Sequence, residues 1–296
     1  MVNSKTLSVF VALAASSVPT AANVFDGLER GAKWNICIHK PIKHDSPDDI
    51  VPKDGLVYDI DMEHARDFPG IIPTIKESGK VVLCYFNAGA LQDWDADKDD
   101  FPKAAIGKTL GGDYEDEWYL DIRNQDVVEL MYKRLEEAAA LGCDGVDPDN
   151  VDAWAQGDED ATGFGLTQQD YTDYLIKLAQ FAHDSGSLVI GQKNAPAMAP
   201  ALVETLDFAV LESCREWDFC EDFQVYVEAG KPVFQIEYPV SIMEQGELSP
   251  EDYRKHCQGD AGDAGFSKVL KRASAQLDGW TQYCDEEPFE QAVIDW

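Results

Sequence analysis

Short apolar runs recur along the chain, and amphipathic helical patterns lie between several of them. Eight runs have the length of a buried strand, at residues 34–38, 56–60, 81–86, 144–148, 188–193, 207–212, 232–237 and 265–270. Apolar strands that alternate with helices predict a parallel sheet, because a crossover is needed to bring the chain back in the same direction. Eight such units predict the α/β class and a single (β/α)8 barrel, or TIM barrel.

Two helices have clear boundaries in the sequence. The first begins near Asp126, a good N-cap residue, and ends at Gly142, which can adopt a left-handed conformation. The second begins at Thr167, where Asp170 completes a capping box. Residues 39–55 are rich in proline and aspartate and have no helical period, so we expect the barrel to be irregular between its first two strands.

Residues 92–124 form the least regular part of the chain. They include five aspartates between Asp93 and Asp100, together with the aromatic residues Trp94 and Trp118. A long loop within a compact domain is usually functional or disordered. The composition favours a groove that binds sugars bearing ammonium groups, and the alternative is a solvated surface loop.

Polar residues lie at the ends of most of the predicted strands. The C-terminal ends of barrel strands open on one face, where barrel enzymes hold their catalytic groups, so these side chains should converge. Residues 143–152 are the most informative, since they contain four aspartates at the end of one predicted strand. The full set is Asp61, Tyr85, Asn87, Asp147, Asp149, Asn150, Lys193, Asn194, Glu212, Glu237 and Tyr238.

Several carboxylates on one face suit glycoside hydrolysis. One carboxylic acid protonates the leaving oxygen while a second carboxylate acts as nucleophile or base, and their mutual repulsion raises at least one pKa. The five histidines lack metal-ligand spacing, and residues 147–152 depart from the calcium-loop pattern. The sequence therefore predicts no metal and no cofactor.

The first residues resemble a secretory signal peptide, with Lys5, an apolar stretch at residues 7–15 and small residues at 20–22. This pattern predicts a signal peptide over residues 1–22 and one barrel domain over residues 23–296, secreted to the extracellular space. No other segment approaches the roughly 18 apolar residues that span a bilayer, so no membrane association is expected.

Seven cysteines in an exported chain predict disulfides with at least one thiol left over. Cys214 and Cys220 are near enough in sequence to close a local loop. Cys257 and Cys284 could tie down the C-terminal region. Cys84 lies inside an apolar run and is expected to be a small core side chain.

Acidic residues outnumber basic ones by 56 to 24, which gives a net charge of −32. Such a surface repels nucleic acids and anionic membranes and attracts polycations. Solubility in an acidic extracellular medium explains the charge equally well. The expected partner is a cationic polysaccharide, and the chain is expected to act as a monomer.

The motifs resemble those of glycoside hydrolase family 114, the endo-α-1,4-polygalactosaminidases. The matching segments extend from about residue 34 to the C-terminus, so the resemblance covers nearly the whole mature chain. They are residues 58–61, 84–90, 117–123, 142–152, 193–194, 212–214 with Cys220, and 236–238, of which 142–152 is the most specific.

The resemblance implies a TIM barrel that cleaves α-1,4-linked galactosamine polymers, and a cationic substrate agrees with the acidic charge. Asp149 and Glu212 match the family's catalytic carboxylates. Asp147 stands where the family pattern has glutamate, and we interpret it as a supporting residue. The residues expected to bind substrate are Asp61, Tyr85, Asn87, Trp118, Asp147, Asn150, Lys193, Asn194 and Glu237.

Two other interpretations remain open. One keeps the catalytic barrel but changes the substrate to a neutral α-galactoside or another amino-sugar polymer. The other is a polysaccharide-binding barrel without catalysis. Salt dependence separates a hydrolase of a cationic polymer from a hydrolase of a neutral glycan. Affinity for a polycation falls as salt screens its charge, whereas affinity for a neutral glycan does not.

Overall fold

The computed structural model describes residues 24–155, 160–186, 188–273 and 277–295, so the predicted signal peptide lies outside the described residues. Eight parallel strands form its main sheet, in the order β1-β2-β3-β7-β8-β9-β10-β11, and β11 lies beside β1 in a nearly closed barrel. The predicted (β/α)8 barrel is confirmed. The barrel strands are β1 (Trp34–Cys37), β2 (Val57–Asp61), β3 (Val81–Asn87), β7 (Gly145–Asp149), β8 (Val189–Lys193), β9 (Phe208–Glu212), β10 (Val233–Glu237) and β11 (Ser267–Leu270).

Three further strands, β4 (Ala90–Gln92), β5 (Ile106–Gly111) and β6 (Tyr114–Leu120), form an antiparallel sheet between β3 and the next helix. The sequence predicted an irregular loop over residues 92–124, and that prediction is wrong over these strands. Gly111 and Gly112 have φ angles of 75° and 60°, which suit the tight turn between β5 and β6. The sheet stands on the side of the barrel where β3 ends.

The helices between the barrel strands pack against its outer face. They are α1 (Met62–Asp67), α2 (Ile71–Glu77), α3 (Gln125–Leu141), α4 (Gln168–Phe181), α5 (Ala199–Leu202), α6 (Gln224–Glu228), α7 (Val240–Gln245) and α8 (Pro250–Cys257). The capping box of α4 and the glycine end of α3 are confirmed. The start of α3 was predicted two residues late, because Asn124 is the N-cap and accepts the Asp126 N–H at 2.9 Å.

Side chains on the barrel strands alternate between two apolar regions, as successive residues of a strand must. Outward residues such as Tyr58 and Val82 pack against the helices. Inward residues such as Val57, Leu83 and Phe208 fill the N-terminal half of the barrel. The barrel is thus a packed core at one end, which supports a polar site at the other.

The inward positions become polar toward the C-terminal ends of the strands. Two residues beyond Val57 and Leu83, the same face carries Asp59 and Tyr85, and both side chains are buried. The corresponding inward position of β7 is Asp147, which is also fully buried. The alternation of β2 and β7 therefore brings two carboxyl groups into the barrel interior, beside Tyr85 of β3.

The connection between β1 and β2 carries one short 3-10 turn, Pro47–Asp49, in the described chain, so the predicted irregularity is confirmed. The C-terminal segment covers this connection. Val51 N–H donates to Gln291 Oε1 at 2.9 Å, and Ile42 forms an antiparallel bridge with Val293. The last two strands, β12 (Trp280–Thr281) and β13 (Phe289–Glu290), form a hairpin in the same segment. The C-terminus thus packs where a crossover helix would otherwise lie.

Three disulfides join the six paired cysteines, and all seven cysteines lie in the described part of the chain. The predicted pairs Cys214–Cys220 and Cys257–Cys284 are confirmed. The prediction for Cys84 is wrong, because it pairs with Cys143 and so ties β3 to the chain two residues before β7. β3 and β7 are neighbours in the sheet, which brings two distant cysteines together. Cys37 is the free, buried thiol.

We expect alkylation in denaturant without reductant to label Cys37 and to leave the other six cysteines unmodified. The physical reason is that each of the six is already oxidised in a disulfide. Removing Cys84–Cys143 should destabilise the fold most among the three, since a closed loop of about 60 residues contributes about 4 kcal/mol. Peptide mapping by mass spectrometry tests the pairing, and alkylated Cys84 or Cys143 would contradict it.

Among the described residues, no helix combines the length and the apolar character needed to cross a membrane. Disulfides persist in oxidising compartments, so three of them indicate an extracytoplasmic environment.

Candidate active site

Two carboxylates reach solvent at the ends of β7 and β9. They are Asp149 and Glu212, whose side chains are 22% and 23% exposed. Each accepts a hydrogen bond from a tyrosine hydroxyl. The Tyr85 hydroxyl donates to Asp149 Oδ2 at 3.0 Å, and the Tyr238 hydroxyl donates to Glu212 Oε1 at 2.5 Å. Burial, with the adjacent carboxylates, raises the pKa of both phenols well above its usual value. Both tyrosines therefore remain donors that orient the carboxylates.

The ammonium group of Lys193 lies beneath this pair. Its Nζ is 3.5 Å from Asp149 Oδ1, 3.7 Å from Glu212 Oε2 and 3.2 Å from Asp147 Oδ2, while the side chain is 2% exposed. Burial acts to lower the pKa of Lys193, but the surrounding carboxylates outweigh it and hold the pKa well above its usual value. Lys193 is therefore a fixed cation shared by both exposed carboxylates.

The shared lysine also limits the distance between the two carboxylates. Asp149 Oδ1 and Glu212 Oε2 can be no farther apart than their two distances to Nζ combined, about 7 Å. Retaining glycosidases place their carboxyl groups about 5 to 5.5 Å apart and inverting ones about 6.5 to 9.5 Å apart. The two carboxyl groups are therefore close enough to act on the same glycosidic bond.

The backbone adopts a left-handed conformation directly after three strands of the site. Asn150, Asn194 and Ser213 have φ angles of 59°, 44° and 56°. Asparagine enters this region more readily than most residues, which explains two of the three residue types. The Asn194 side chain also accepts the backbone N–H of Glu212 at 2.8 Å. Asn194 therefore positions the residue that ends β9.

Gly89 holds the end of β7 in place. A Cβ atom at this position would lie 1.7 Å from the carbonyl oxygen of Asn150, so a side chain cannot be accommodated. The close approach lets the N–H groups of Ala88 and Gly89 both donate to the carbonyl oxygen of Asp149 at 3.0 Å. The Asp149 backbone is therefore fixed from the neighbouring strand.

Two more aspartates lie inside the barrel below the exposed pair. Asp59 and Asp147 are both 0% exposed. Burial raises the pKa of Asp147 to about 6 although Lys193 opposes the shift. Burial also raises the pKa of Asp59 well above its usual value, and the charge of Asp147 adds to it. Because Asp147 has no exposed surface, it can affect a substrate only through the residues that it contacts, such as Lys193.

Asp61 and Asn87, at the ends of β2 and β3, are each held by hydrogen bonds. Asp61 ends β2 and accepts the Glu63 N–H at 2.7 Å, and burial raises its pKa to about 7. Asn87 is 1% exposed and donates to Glu117 Oε2 at 2.9 Å. Burial raises the pKa of Glu117 to about 7. Asn87 therefore links the end of β3 to the antiparallel sheet.

The structure places Glu237 away from the mouth of the barrel. It shares the outer face of β10 with Gln235, which donates to its Oε1 at 2.9 Å. His256 Nδ1 lies 2.9 Å from Oε2, and the Arg215 N–H donates to Oε1 at 3.0 Å. Glu237 is 0% exposed, so it fastens the β9 loop and α8 to the barrel.

Tyr238 was expected at the mouth of the barrel but was not among the predicted catalytic or substrate-binding residues, and it contacts Glu212. It follows Glu237 and carries the hydroxyl that donates to Glu212 Oε1. The available signal was the alternation of β10, because Ile236 points into the barrel and its inward neighbour on the same face would be residue 238.

Two of the aspartates after β4 are paired with a buried arginine. Asp95 and Asp97 both accept hydrogen bonds from Arg134 of α3, at 2.8 Å and 2.5 Å, and the Arg134 side chain is 5% exposed. Asp93 pairs with Lys98 at 2.9 Å. The role predicted for Asp95 and Asp97 is wrong, because a buried guanidinium neutralises them.

Trp118 lies on β6, the central strand of the antiparallel sheet, opposite Leu91 of β4 and Thr109 of β5. It is partly buried, whereas Trp94 in the loop after β4 is 51% exposed. The sheet and the loop after β4 thus carry one tryptophan each, and the two differ in accessibility.

One group of potential metal ligands occurs among the described residues, consisting of Cys214, Cys220 and Glu237. The two sulfur atoms form a disulfide and cannot act as thiolate ligands. The donor set therefore does not fit a metal ion.

An accessible carboxylate pair at the C-terminal face of a (β/α)8 barrel is typical of the barrel glycoside hydrolases. The chain belongs to glycoside hydrolase family GH114, whose sequence model matches residues 14–289. The resemblance inferred from the motifs is thereby confirmed. No curated protein matches the chain.

Several solved structures are similar to the chain. Aspergillus fumigatus Ega3 in complex with galactosamine is 32% identical, over 86% of this chain and 96% of that chain, with a TM-score of 0.75. The glycoside hydrolase domain of Pseudomonas aeruginosa PelA is 15% identical, over 83% and 96% of the chains, with a TM-score of 0.59. The α-galactosidase TtGalA of Thermus thermophilus is 15% identical, over 82% and 58%, with a TM-score of 0.54. The last two show the fold alone.

Proposed function

We propose that the protein is a secreted endo-acting hydrolase of α-1,4-linked galactosamine polymers, with Asp149 and Glu212 as its catalytic pair. The observation that carries the proposal is the arrangement of these two side chains. They are the accessible members of a carboxylate cluster, and each is oriented by one tyrosine and by the shared Lys193. Asp147 and Asp59, in contrast, are buried beyond the reach of a polymer.

In the proposed mechanism, Asp149 attacks the anomeric carbon while Glu212, in its protonated form, gives its proton to the leaving glycosidic oxygen. The bond between sugar and leaving oxygen breaks as the bond to Asp149 forms. Glu212 then removes a proton from water, which displaces Asp149 and regenerates both groups, so the anomeric configuration is retained. Tyr85 and Lys193 stabilise the Asp149 carboxylate, and Tyr238 and Lys193 hold Glu212 in the same way, so these contacts support the pair and kinetic tests of variants assign the two roles.

The substrate class is supported by two independent observations. Ega3, which shares 32% identity with this chain, was crystallised in complex with galactosamine. The net charge of −32 favours a polymer of positively charged sugars over a neutral or anionic one. We therefore propose that ammonium groups of the substrate are attracted to the acidic surface before the chain enters the site.

We propose Asp61, Tyr85, Trp118, Asn150 and Lys193 as residues that bind or face the substrate. The other predicted binding residues support these groups without contacting the substrate, and they are Asn87, Asp147, Asn194 and Glu237. Asn194 accepts a hydrogen bond from the Glu212 backbone, and Asn87 donates one to the antiparallel sheet. Asp147 pairs with the ammonium group of Lys193, and Glu237 accepts a hydrogen bond from the loop after β9.

A direct assay distinguishes this function from its alternatives. The mature protein is incubated with purified galactosaminogalactan and with chitosan, and the products are analysed by mass spectrometry. We expect oligosaccharides from the first polymer alone. Cleavage of chitosan would favour a different amino-sugar specificity, and binding without any products would favour a non-catalytic barrel.

We expect activity to depend strongly on substrate charge and on salt. Acetylation removes the ammonium charge, so the de-N-acetylated polymer should be cleaved faster than its acetylated form. KM should rise several-fold between about 0.05 and 0.5 M salt, because screening shortens the range of the acidic field. Initial rates on both polymers across this range test the expectation. Equal rates on both polymers and a flat salt response would show that the charge serves solubility.

We further propose that residues 1–22 are removed as a signal peptide, that the mature chain begins near Asn23, and that it acts as a monomer. Intact mass and light scattering of the protein secreted into culture medium test these points. A retained N-terminus or a dimeric mass would contradict them.

A further inference from the structure

The loop that follows Glu212 presents an exposed tryptophan. The Cys214–Cys220 disulfide closes this loop, and Trp217 near its middle is 73% exposed. Tryptophan has a large flat apolar surface, so leaving it in water forgoes free energy that a stacked ligand would recover. Trp217 is thus an available surface at the end of a catalytic strand.

The loop is held in place at several points. Phe219 N–H donates to the carbonyl oxygen of Cys214 at 3.0 Å. The Arg215 side chain, 5% exposed, pairs with Asp263 at 2.7 Å and donates to the carbonyl oxygens of Lys255 and Gln258. These bonds fix the loop before any ligand arrives, which reduces the entropy that binding must overcome.

The same loop keeps Trp217 near the catalytic pair. Its N–H donates to the carbonyl oxygen of Ser213 at 3.1 Å, and Ser213 directly follows Glu212. Two residues joined by such a bond lie about one helical turn apart, roughly 5.4 Å along the chain. The backbone of Trp217 therefore lies about one helical turn from the residue that follows Glu212.

Several acidic residues lie close to this tryptophan in the sequence of the loop. Asp218, Glu221 and Asp222 are exposed, and Glu216 pairs with Lys255 at the surface. A flat ring beside free carboxylates is complementary to a hexosamine, which has an apolar C–H face and a positively charged amino group. An indole face also attracts a cation directly.

We propose that Trp217 and Asp218 form a galactosamine-binding subsite, in which the indole stacks on one sugar ring of the polymer and Asp218 pairs with its ammonium group. This subsite rests on the proposed function and adds to it a recognition element on the β9 loop. It gives the enzyme a contact that depends on substrate length, because a fragment too short to reach Trp217 gains nothing from it.

Binding is measured in a Glu212→Gln background, so that galactosamine oligosaccharides of graded length are bound but not cleaved. Adding Trp217→Ala should raise Kd for long oligosaccharides about tenfold, since a stacked aromatic contact contributes about that factor. Trp217→Leu, which keeps apolar area without a flat ring, should weaken binding as much, whereas Trp217→Phe should weaken it less. Leu56→Ala removes an exposed apolar side chain that precedes β2 and should leave Kd unchanged.

Asp218→Asn tests the charge without disturbing the backbone. Asp218 has φ of 57°, a conformation that asparagine tolerates. We expect weaker binding of de-N-acetylated oligosaccharides and unchanged binding of acetylated ones. An unchanged Kd in the folded Trp217→Ala variant would overturn the subsite. If Glu212→Gln alone binds no galactosamine oligosaccharide, the proposed function fails and the subsite fails with it.

Discussion

Asp149→Asn or Glu212→Gln should lower kcat on the galactosamine polymer by at least about a thousandfold while leaving the fold intact, since each removes a group that covalent or acid–base catalysis needs. Both side chains are partly exposed and accept a tyrosine hydroxyl, which an amide oxygen can still do. Rates and thermal unfolding of purified variants test the expectation. Asp173→Asn, which removes an exposed carboxylate on α4, is the matched control and should retain activity.

The two variants should differ in a way that assigns the roles. A substrate with a good leaving group needs little protonation, so it should recover much of the rate lost in Glu212→Gln. It should recover little in Asp149→Asn, because no covalent intermediate can form there. A folded Asp149→Asn variant with near wild-type activity would remove Asp149 from the mechanism. Recovery in Asp149→Asn instead would exchange the two roles.

The barrel could be predicted because its strands are short, apolar and separated by helices. The spacing of apolar residues and the identity of capping residues are local features of the sequence. They located all eight barrel strands and the capping box at Thr167. The antiparallel sheet after β3 could not be predicted as easily, because β5 and β6 carry many exposed polar residues. The turn at Gly111 and Gly112 was the available hairpin signal.

The site was harder to predict, since the face on which a side chain lies depends on strand register. Glu237 ends β10 and Tyr238 follows it, and a shift of one residue moves a side chain from the helix layer to the barrel mouth. Ion pairs posed the same problem, because the partner of Asp95 lies 39 residues away on α3. Local composition therefore identified acidic stretches but not which of them was already neutralised.

Lys193→Met should abolish most activity and destabilise the fold. The substitution keeps the length of the side chain but removes the cation that lies within 4 Å of three carboxylates. Breaking a buried ion pair by removing one partner costs about 3 to 5 kcal/mol, because the remaining charge is left unpaired. We expect kcat to fall at least about a hundredfold as Asp149 and Glu212 lose their shared orientation. Thermal unfolding and initial rates measure the two effects separately.

The stability loss should depend on pH in a defined direction. Burial already raises the pKa of Asp147 in the folded protein to about 6, and without Lys193 it should rise further. An acid whose pKa is raised by folding binds more protons when folded, so stability falls as pH rises. The deficit of Lys193→Met should therefore be largest at neutral pH and should shrink as pH falls toward about 4, the pKa of an unfolded aspartate. A deficit that is constant with pH would mean that lost packing dominates.

Adding Asp147→Asn to Lys193→Met separates structural from catalytic roles. Asp147 has 0% exposed surface, so an uncharged amide at this position removes the buried negative charge that Lys193 otherwise neutralises. Because the two residues are in contact, their effects on stability should not add, and the double variant should unfold at a higher temperature than Lys193→Met alone. Activity should remain low in the double variant, since Asp149 and Glu212 still lack the cation between them. Restored activity would show that Lys193 serves only to neutralise Asp147, and that the tyrosines alone position the catalytic carboxylates.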